Sequence, residues 1–342
     1  MVFDEAGTYQ IEYTATDECG NTTNAERTVI VEAPPRTVLY TDGTLIINER
    51  SRDIEANIAE HGQPTNVYDP FDPNGDTDVK KYIFTSYLQR PWNSQASSVR
   101  SVEIGSNIQP TSTAYWFYGM ENCTSIDITG LNTSAVTNMN SMFSGCYALT
   151  SLDVSSFNTS AVTNMSSMFR NCQALTSLDL SNFNTSAVTD MNGMFNYCRA
   201  LTSLDVSNFN TSAVTNMNGM FSACRALTSL DVSSFNTSAV TNMSSMFAVC
   251  RALTNLDLSS FNTSAVTNMD LMFQNCQSLT RLYASANFVV TQVSSSNNMF
   301  ADMSTNLVGG AGTVWSSSNP YDKTYAHIDG GVSDPGYFTA KN

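Results

Sequence analysis

Between residue 124 and Cys276 the apolar and polar positions recur with one fixed period. TSLDVSSFNTSAVTNMSSMFRNC at 150–172 returns as TSLDLSNFNTSAVTDMNGMFNYC, TSLDVSNFNTSAVTNMNGMFSAC, TSLDVSSFNTSAVTNMSSMFAVC and TNLDLSSFNTSAVTNMDLMFQNC. Cys146, Cys172, Cys198, Cys224, Cys250 and Cys276 therefore fall 26 residues apart without an insertion. Such a period marks an array of short coils, each packing only on its neighbours. Within a unit, Leu175, Leu178 and Leu180 point inward and Asp179 outward, which predicts a short strand entered from a bend. Met191, Met194, Phe195 and Cys198 stand at i, i+3, i+4 and i+7, which predicts about two helical turns with one apolar face. Thr189 or Asp190 would cap that helix, and Phe183 and Val188 would fill the bend before it. The pattern predicts an α/β solenoid with 26-residue repeats, each coil a strand, a turn, a short helix and a turn around a common core. With strands about 4.8 Å apart, about seven coils would make a rod roughly 35 Å long.

The flanks read differently. GTYQIEYTATDECGNTTNAERTVIV shows two alternating runs joined through the turn-prone Glu18 to Asn21, which resembles the last strands of an immunoglobulin-like sandwich. Ala33, Pro34 and Pro35 follow as a stiff linker. The expected organisation is a partial Ig-like β segment and linker at 1–35, a strand-rich N-terminal cap with a degenerate first coil at 36–123, the solenoid at 124–303 and a C-terminal cap at 304–342. In the first cap VLYTDGTLIIN predicts a hairpin turning at Asp42 and Gly43, and Pro110, Tyr115, Trp116 and Phe117 add rigidity and bulk. In the last degenerate coil Met303 replaces the Cys. Caps are needed because an open end exposes core and strand edge.

Charge narrows the partners. Fifteen Lys and Arg against 30 Asp and Glu give a net charge of -15, with no basic stripe of the kind nucleic acid or an anionic membrane surface demands. No run of about 18 apolar residues predicts membrane insertion. The opening MVFDEAGTYQ lacks the basic flank and apolar centre of a secretory signal. The expectation is export without such a signal, a leader outside this sequence, or work inside a larger particle.

The repeats carry most of the candidate chemistry. A Cys ladder could form disulfides, a metal column or buried thiols. With only His61 and His327 in the chain, His partners for a metal are missing, and the apolar helical position favours buried thiols. Met pairs such as Met165 with Met168 and Met217 with Met220 read as core beside Phe169 and Phe221. Asp127, Asp153, Asp179, Asp205, Asp231 and Asp257 recur outward, where stacked like charges need an offset: Thr and Ser hydroxyls, backbone N–H groups, bound cations, or Arg199, Arg225 and Arg251. Hydrogen bonding within the coil is the simpler offset; a ligand-facing ladder assisted by Ca²⁺ is the other. Catalysis is not expected, because identical carboxylates do not supply the distinct environments of an acid and a base. Asp72, Asn74, Asp76 and Asp78 in DPNGDTD resemble the front of a Ca²⁺ loop without its acidic twelfth residue, and read more simply as an acidic turn. Asn158 to Ser160 and its copies match a glycosylation acceptor, but repeated turn hydrogen bonds explain them too.

At LTSLDLSNFNTSAVTDMNGMF and NMSSMF the sequence closely resembles the BspA-like leucine-rich repeat family of bacterial surface proteins, with Leu149, Leu152, Val154 and Phe157 and their copies on the scaffold positions. The likeness runs from about residue 36 to YAHIDGGVSDPGYFT. GTYQIEYTATDECGN resembles the end of a bacterial Ig-like surface module. The resemblance implies a leucine-rich-repeat-like fold, an extracellular place on a bacterial cell or virion surface, and non-enzymatic adhesion to a cell-surface glycan or protein; it supplies no catalytic residues and no cofactor. The expected ligand face holds Asp153, Asp179, Asp205, Asp231 and Asp257 with Thr176, Thr202 and Thr228. A structural or decoration role in a bacteriophage virion, with other virion proteins as partners and the solenoid as a rigid spacer, is the alternative. A homo-oligomer built through the incomplete N-terminal sandwich would favour it.

Overall fold

The computed structural model describes residues 7–16, 22–31, 36–49, 54–61, 63–68, 88, 92–105 and 108–341. Strands β1 (Gly7–Thr16) and β2 (Thr22–Val31) pair antiparallel, with Gly7 opposite Val31 and Thr16 opposite Thr22. Strands β3 (Arg36–Tyr40) and β4 (Thr44–Glu49) form the hairpin that turns at Asp42 and Gly43. Gly43 has φ 90°, and a Cβ there would lie 2.5 Å from Arg100 Cγ, so the turn depends on glycine twice over. Helix α1 (Ile54–His61) leads to β5 (Pro64–Tyr68), which returns antiparallel to β3. Parallel pairing of β4 with β6 (Ser101–Ile104) and of β6 with β7 (Ser125–Asp127) completes a mixed sheet of order β5-β3-β4-β6-β7.

The repeats correct the expected α/β solenoid. The segment carrying Met191, Met194, Phe195 and Cys198 is a run of tight turns, not a helix. Two residues per unit, four apart, have positive φ: Ser167 and Asn171, Gly193 and Tyr197, Gly219 and Ala223, Ser245 and Val249. A left-handed residue cannot continue a right-handed helix. Backbone bonding is divided accordingly. Met191, Gly193, Phe195 and Tyr197 donate to carbonyls of the next unit at 2.8–3.1 Å, while Met194, Asn196 and Cys198 donate to carbonyls of their own unit at 3.0–3.2 Å. Thr189 caps no helix; its hydroxyl donates to the Thr163 carbonyl.

The strand half of the unit is equally reduced. Within the array, regular ladders occur toward the ends, at β7 and at β8 (Asn255–Leu258) with β9 (Arg281–Ala284); β10 (Phe338–Ala340) joins β9 in a parallel sheet of order β10-β9-β8. Between them, single parallel bridges link Asn138, Asn164, Asp190, Asn216, Asn242 and Asn268 from unit to unit. Among the described residues none of the three sheets closes on itself. The chain is a turn-rich stack flanked by short sheets, largely β and uncurled, and neither the leucine-rich-repeat architecture nor the α/β solenoid describes it.

The apolar half of the sequence pattern does form the core. Met191, Met194, Phe195, Val188 and Cys198 and their copies are buried. Phe143, Phe169, Phe195, Phe221, Phe247 and Phe273 stack with ring centroids 5.6–6.0 Å apart. Buried Thr159 stitches units together: its hydroxyl donates to the Asn184 carbonyl at 3.0 Å and accepts the Asn184 N–H at 2.8 Å. The column ends on rings turned edge-on, Trp116 against Phe117 and Tyr337 against Phe300.

Val249 is the most strained of the left-handed residues, because a β-branched side chain tolerates φ 62° poorly. Asn171 and Asn275 hold the same place in their units at φ 62° and 59°. Since Val249 is only half-buried, Val249→Asn is expected to stabilise the protein by about 1 kcal/mol. A urea midpoint that stays put or falls would contradict this.

Candidate functional site

The outward positions of the extended segments form a shallow groove along the stack. Ser177, Asp179, Ser203, Asp205, Ser229 and Asp231 line one stretch of about 580 Å³. Ser101, Glu103, Ser125, Asp127, Ser151 and Asp153 line another of about 420 Å³. The two share register positions, since β6 and β7 place Ser101 opposite Ser125 and Glu103 opposite Asp127. The acidic row ends where β8 and β9 set Asp257 opposite Tyr283; Lys341 pairs with Asp257 and lies 5.6 Å above the Tyr283 ring.

Each carboxylate in the row is held by its own unit. Asp153, Asp179, Asp205 and Asp231 accept the N–H of Ser155, Ser181, Ser207 and Ser233, all at 2.9 Å. Bonds from the Ser hydroxyl and N–H keep Asp153, Asp205 and Asp231 below the usual carboxylate range. The same bonds from Ser181 lower Asp179, while Asp153 and Asp205 push it back. At Asp257 burial works upward, but bonds from Lys341 and Ser259 outweigh it. Local hydrogen bonds are thus the offset for the stacked charge, and Arg199, Arg225 and Arg251 form no ion pair with it among the described residues.

Glu103 breaks the uniformity. Burial raises its carboxyl, opposed by His61 and reinforced by Glu60, Asp127 and Asp42. His61, buried, sets Nδ1 3.0 Å from Asp42 and Nε2 3.5 Å from Glu103. Glu103 lies before the regular repeats, so the period does not single it out; its alternation with Val102 and Ile104 is the available signal.

Asp153, Asp179, Asp205 and Asp231 are exposed in the groove, and Asp257 is half-buried at its end. Thr176, Thr202 and Thr228 are exposed but line neither stretch. Strict alternation from Leu178 puts Ser177 beside Asp179 on the outer face and leaves Thr176 at the bend, where the Thr202 hydroxyl donates to the Thr176 carbonyl at 3.4 Å. Asp72, Asn74, Asp76 and Asp78 lie outside the described residues. Among the described residues no three His, Cys, Asp or Glu side chains converge as metal ligands would.

The described Cys residues are buried and form no disulfide with one another. Cys172, Cys198, Cys224 and Cys250 donate their S–H to Phe carbonyls 29 residues back, at 3.1–3.3 Å. Burial pushes the Cys198 and Cys276 thiols up to about 12, the opposite of a reactive thiolate. Asn158 Oδ1 accepts the Ser160 N–H at 3.1 Å and hydroxyl at 2.7 Å, a local turn.

The family model described as "Mycoplasma protein of unknown function, DUF285" matches residues 111–204 and 198–308, more than half of the chain. The model described as "Bacterial surface protein, Ig-like domain" matches residues 3–31, so the N-terminal segment is a partial Ig-like module. Among solved structures, a leucine-rich repeat protein from Eubacterium ventriosum is similar at 13% identity, over 80% of this chain and 94% of that one, with a TM-score of 0.22. No curated protein matches the chain. Among the described residues no helix is long and apolar enough to cross a membrane.

Proposed function

The chain belongs to the family described as Mycoplasma protein of unknown function, DUF285, and from that premise we propose that it is a surface-associated, non-enzymatic recognition module whose Asp–Ser groove binds a glycan or protein on a cell surface. The observation that carries this reading is the exposed Asp–Ser pair repeated at one register position from Ser125 and Asp127 to Ser229 and Asp231. Carboxylates held below their usual range stay charged and oriented, and equal sites in a row give a repetitive partner avidity from weak individual contacts. Sameness also argues against catalysis at the row, which would need carboxyls tuned apart. The Ig-like match supports an extracellular, surface-bound setting.

The test is binding of the full chain to a glycan array, intact bacteria and matrix proteins, with the bound class then titrated against Asp179→Asn/Asp205→Asn/Asp231→Asn. The fold should survive, because an Asn Oδ1 accepts the same N–H, as Asn158 does from Ser160. Affinity is expected to fall by about tenfold or more, roughly 1.4 kcal/mol. Unchanged affinity would remove the groove from the reading, and silence of the folded chain on all three panels would remove recognition.

A further inference from the structure

A second edge of the stack carries the opposite charge. The residue after each Cys forms a column, Tyr147, Gln173, Arg199, Arg225, Arg251 and Gln277, at the same 26-residue spacing. In a chain of net charge -15, three guanidinium groups follow one another here in successive units. Stacked like charges repel, and among the described residues no carboxylate pairs with any of the three.

Two of the three guanidinium groups also carry an unsatisfied atom. Buried side-chain atoms without a hydrogen-bond partner include Nε of Arg199 and Arg225 in this column, and Oδ1 of Asn196 and Asn275 in the turns just before it in sequence. A buried donor or acceptor left unpaired is costly and calls for explanation. Aromatic surface lies beside them: the Tyr197 ring sits under Arg199, with Cζ 5.2 Å from its centroid, and Tyr147 is 38% exposed at the head of the column.

We propose that this edge binds an anionic polysaccharide, with Arg199, Arg225 and Arg251 as the charge-reading residues. Guanidinium forks match carboxylate and sulfate groups in two-point contacts. Ring faces at Tyr147 and Tyr197 and the amides of Gln173 and Gln277 suit the apolar faces and hydroxyls of sugars. Successive units lie about 6 Å apart at the phenylalanine column, a spacing fit for a chain charged once per sugar. Duplex nucleic acid is far denser, at one charge per about 1.7 Å. A second copy of this chain, whose exposed Asp row also offers carboxylates, is the competing occupant, and self-association is the outcome that would reveal it. The inference goes beyond the Asp–Ser groove, which it does not need.

Titration calorimetry of the full chain at low salt with polygalacturonate, which carries carboxylates, and heparin, which carries sulfates, tests it, with dextran as the neutral arm and duplex DNA as the dense polyanion. At least one of the two anionic glycans should bind, dextran should not, and affinity should fall as salt rises. Arg199→Gln/Arg225→Gln/Arg251→Gln should lose tenfold or more, and the exposed Arg251→Gln alone a measurable part, whereas the three Asp→Asn changes should lose nothing. No binding to either anionic glycan, or binding untouched by the Arg changes, overturns the proposal. So does DNA binding as tight as glycan binding, or self-association that vanishes with the arginines.

Discussion

Replacing Asp329 by alanine is expected to destabilise the C-terminal end of the stack by about 2–4 kcal/mol, because five donors around a buried carboxylate, most of them half-buried, lose one acceptor together, each worth roughly 1 kcal/mol. Asp329 is 7% exposed. It accepts the N–H groups of Ala311, Thr313 and Gly331 at 2.9 Å, the Thr313 hydroxyl at 2.7 Å and the Gly336 N–H at 3.4 Å. Backbone closes in around it: a Cβ on Gly309 would lie 2.2 Å from the Gly336 carbonyl and 2.6 Å from Asp329 Oδ2. The Asp329 N–H in turn donates to the Phe338 carbonyl at 2.9 Å, and Phe338 covers Phe288 edge-on at 4.8 Å. Losing the carboxylate should therefore loosen β10 and uncover the last rings of the column.

The same site gives the stability a pH dependence of known sign. Burial alone would raise the Asp329 carboxyl, but the bonds from Thr313, Gly331 and Gly336 hold it far below the usual range. A folded value below the unfolded one, about 3.9, means the contribution is complete above that value and drains away as pH falls beneath it. Urea unfolding of the native chain and of Asp329→Ala should differ most at pH 7, and the gap should narrow at pH 3. A gap equal at both values would show that the carboxylate is not the keystone of this cap.

What can be read from the sequence follows from which forces leave a period in residue type. Burial does, so the inward Leu178, Phe183, Val188, Met191, Met194, Phe195 and Cys198 are evident in the sequence alone, and so is the outward Asp179. Conformation at single residues recurs as well, left-handed at Ser167, Gly193, Gly219, Ser245 and Leu271, but no one residue type marks it. The spacing of Met191, Met194, Phe195 and Cys198 satisfies a helix and a run of turns alike, and only the left-handed residues decide between them. Gly145, Gly193 and Gly219 hint at that conformation, but Tyr197, Val249 and Leu271 share it, held there by bonds to the next unit that no local propensity reports. The groove shows the same division. Its Asp residues were legible because they break an apolar pattern, whereas the partners, Ser177 and not Thr176, depended on where the bend ends. The arginine column lay in plain sight as Arg199, Arg225 and Arg251; its lack of carboxylate partners is a fact of three dimensions.

Phe221→Ala should cost about 3–5 kcal/mol, the usual toll for emptying a buried aromatic site that cannot collapse. The ring is fully buried and stacks on Phe195 at 5.8 Å and Phe247 at 5.9 Å, with Phe235 at 6.3 Å. Collapse is opposed from both sides, since Phe221 N donates to Met246 O at 3.0 Å and Phe195 N to Met220 O at 2.9 Å, fixing the separation of the units. Each unit touches only its neighbours, so damage in the middle weakens the coupling between the two halves as well as the total. The urea transition should therefore move to lower concentration and lose steepness, as the halves begin to unfold separately. Phe221→Leu, which refills most of the volume, should recover much of the loss. A shift below about 1 kcal/mol for Phe221→Ala, with the slope intact, would mean that the phenylalanine column is not what couples the stack, and would pass that role to the Thr159–Asn184 type of stitch between units.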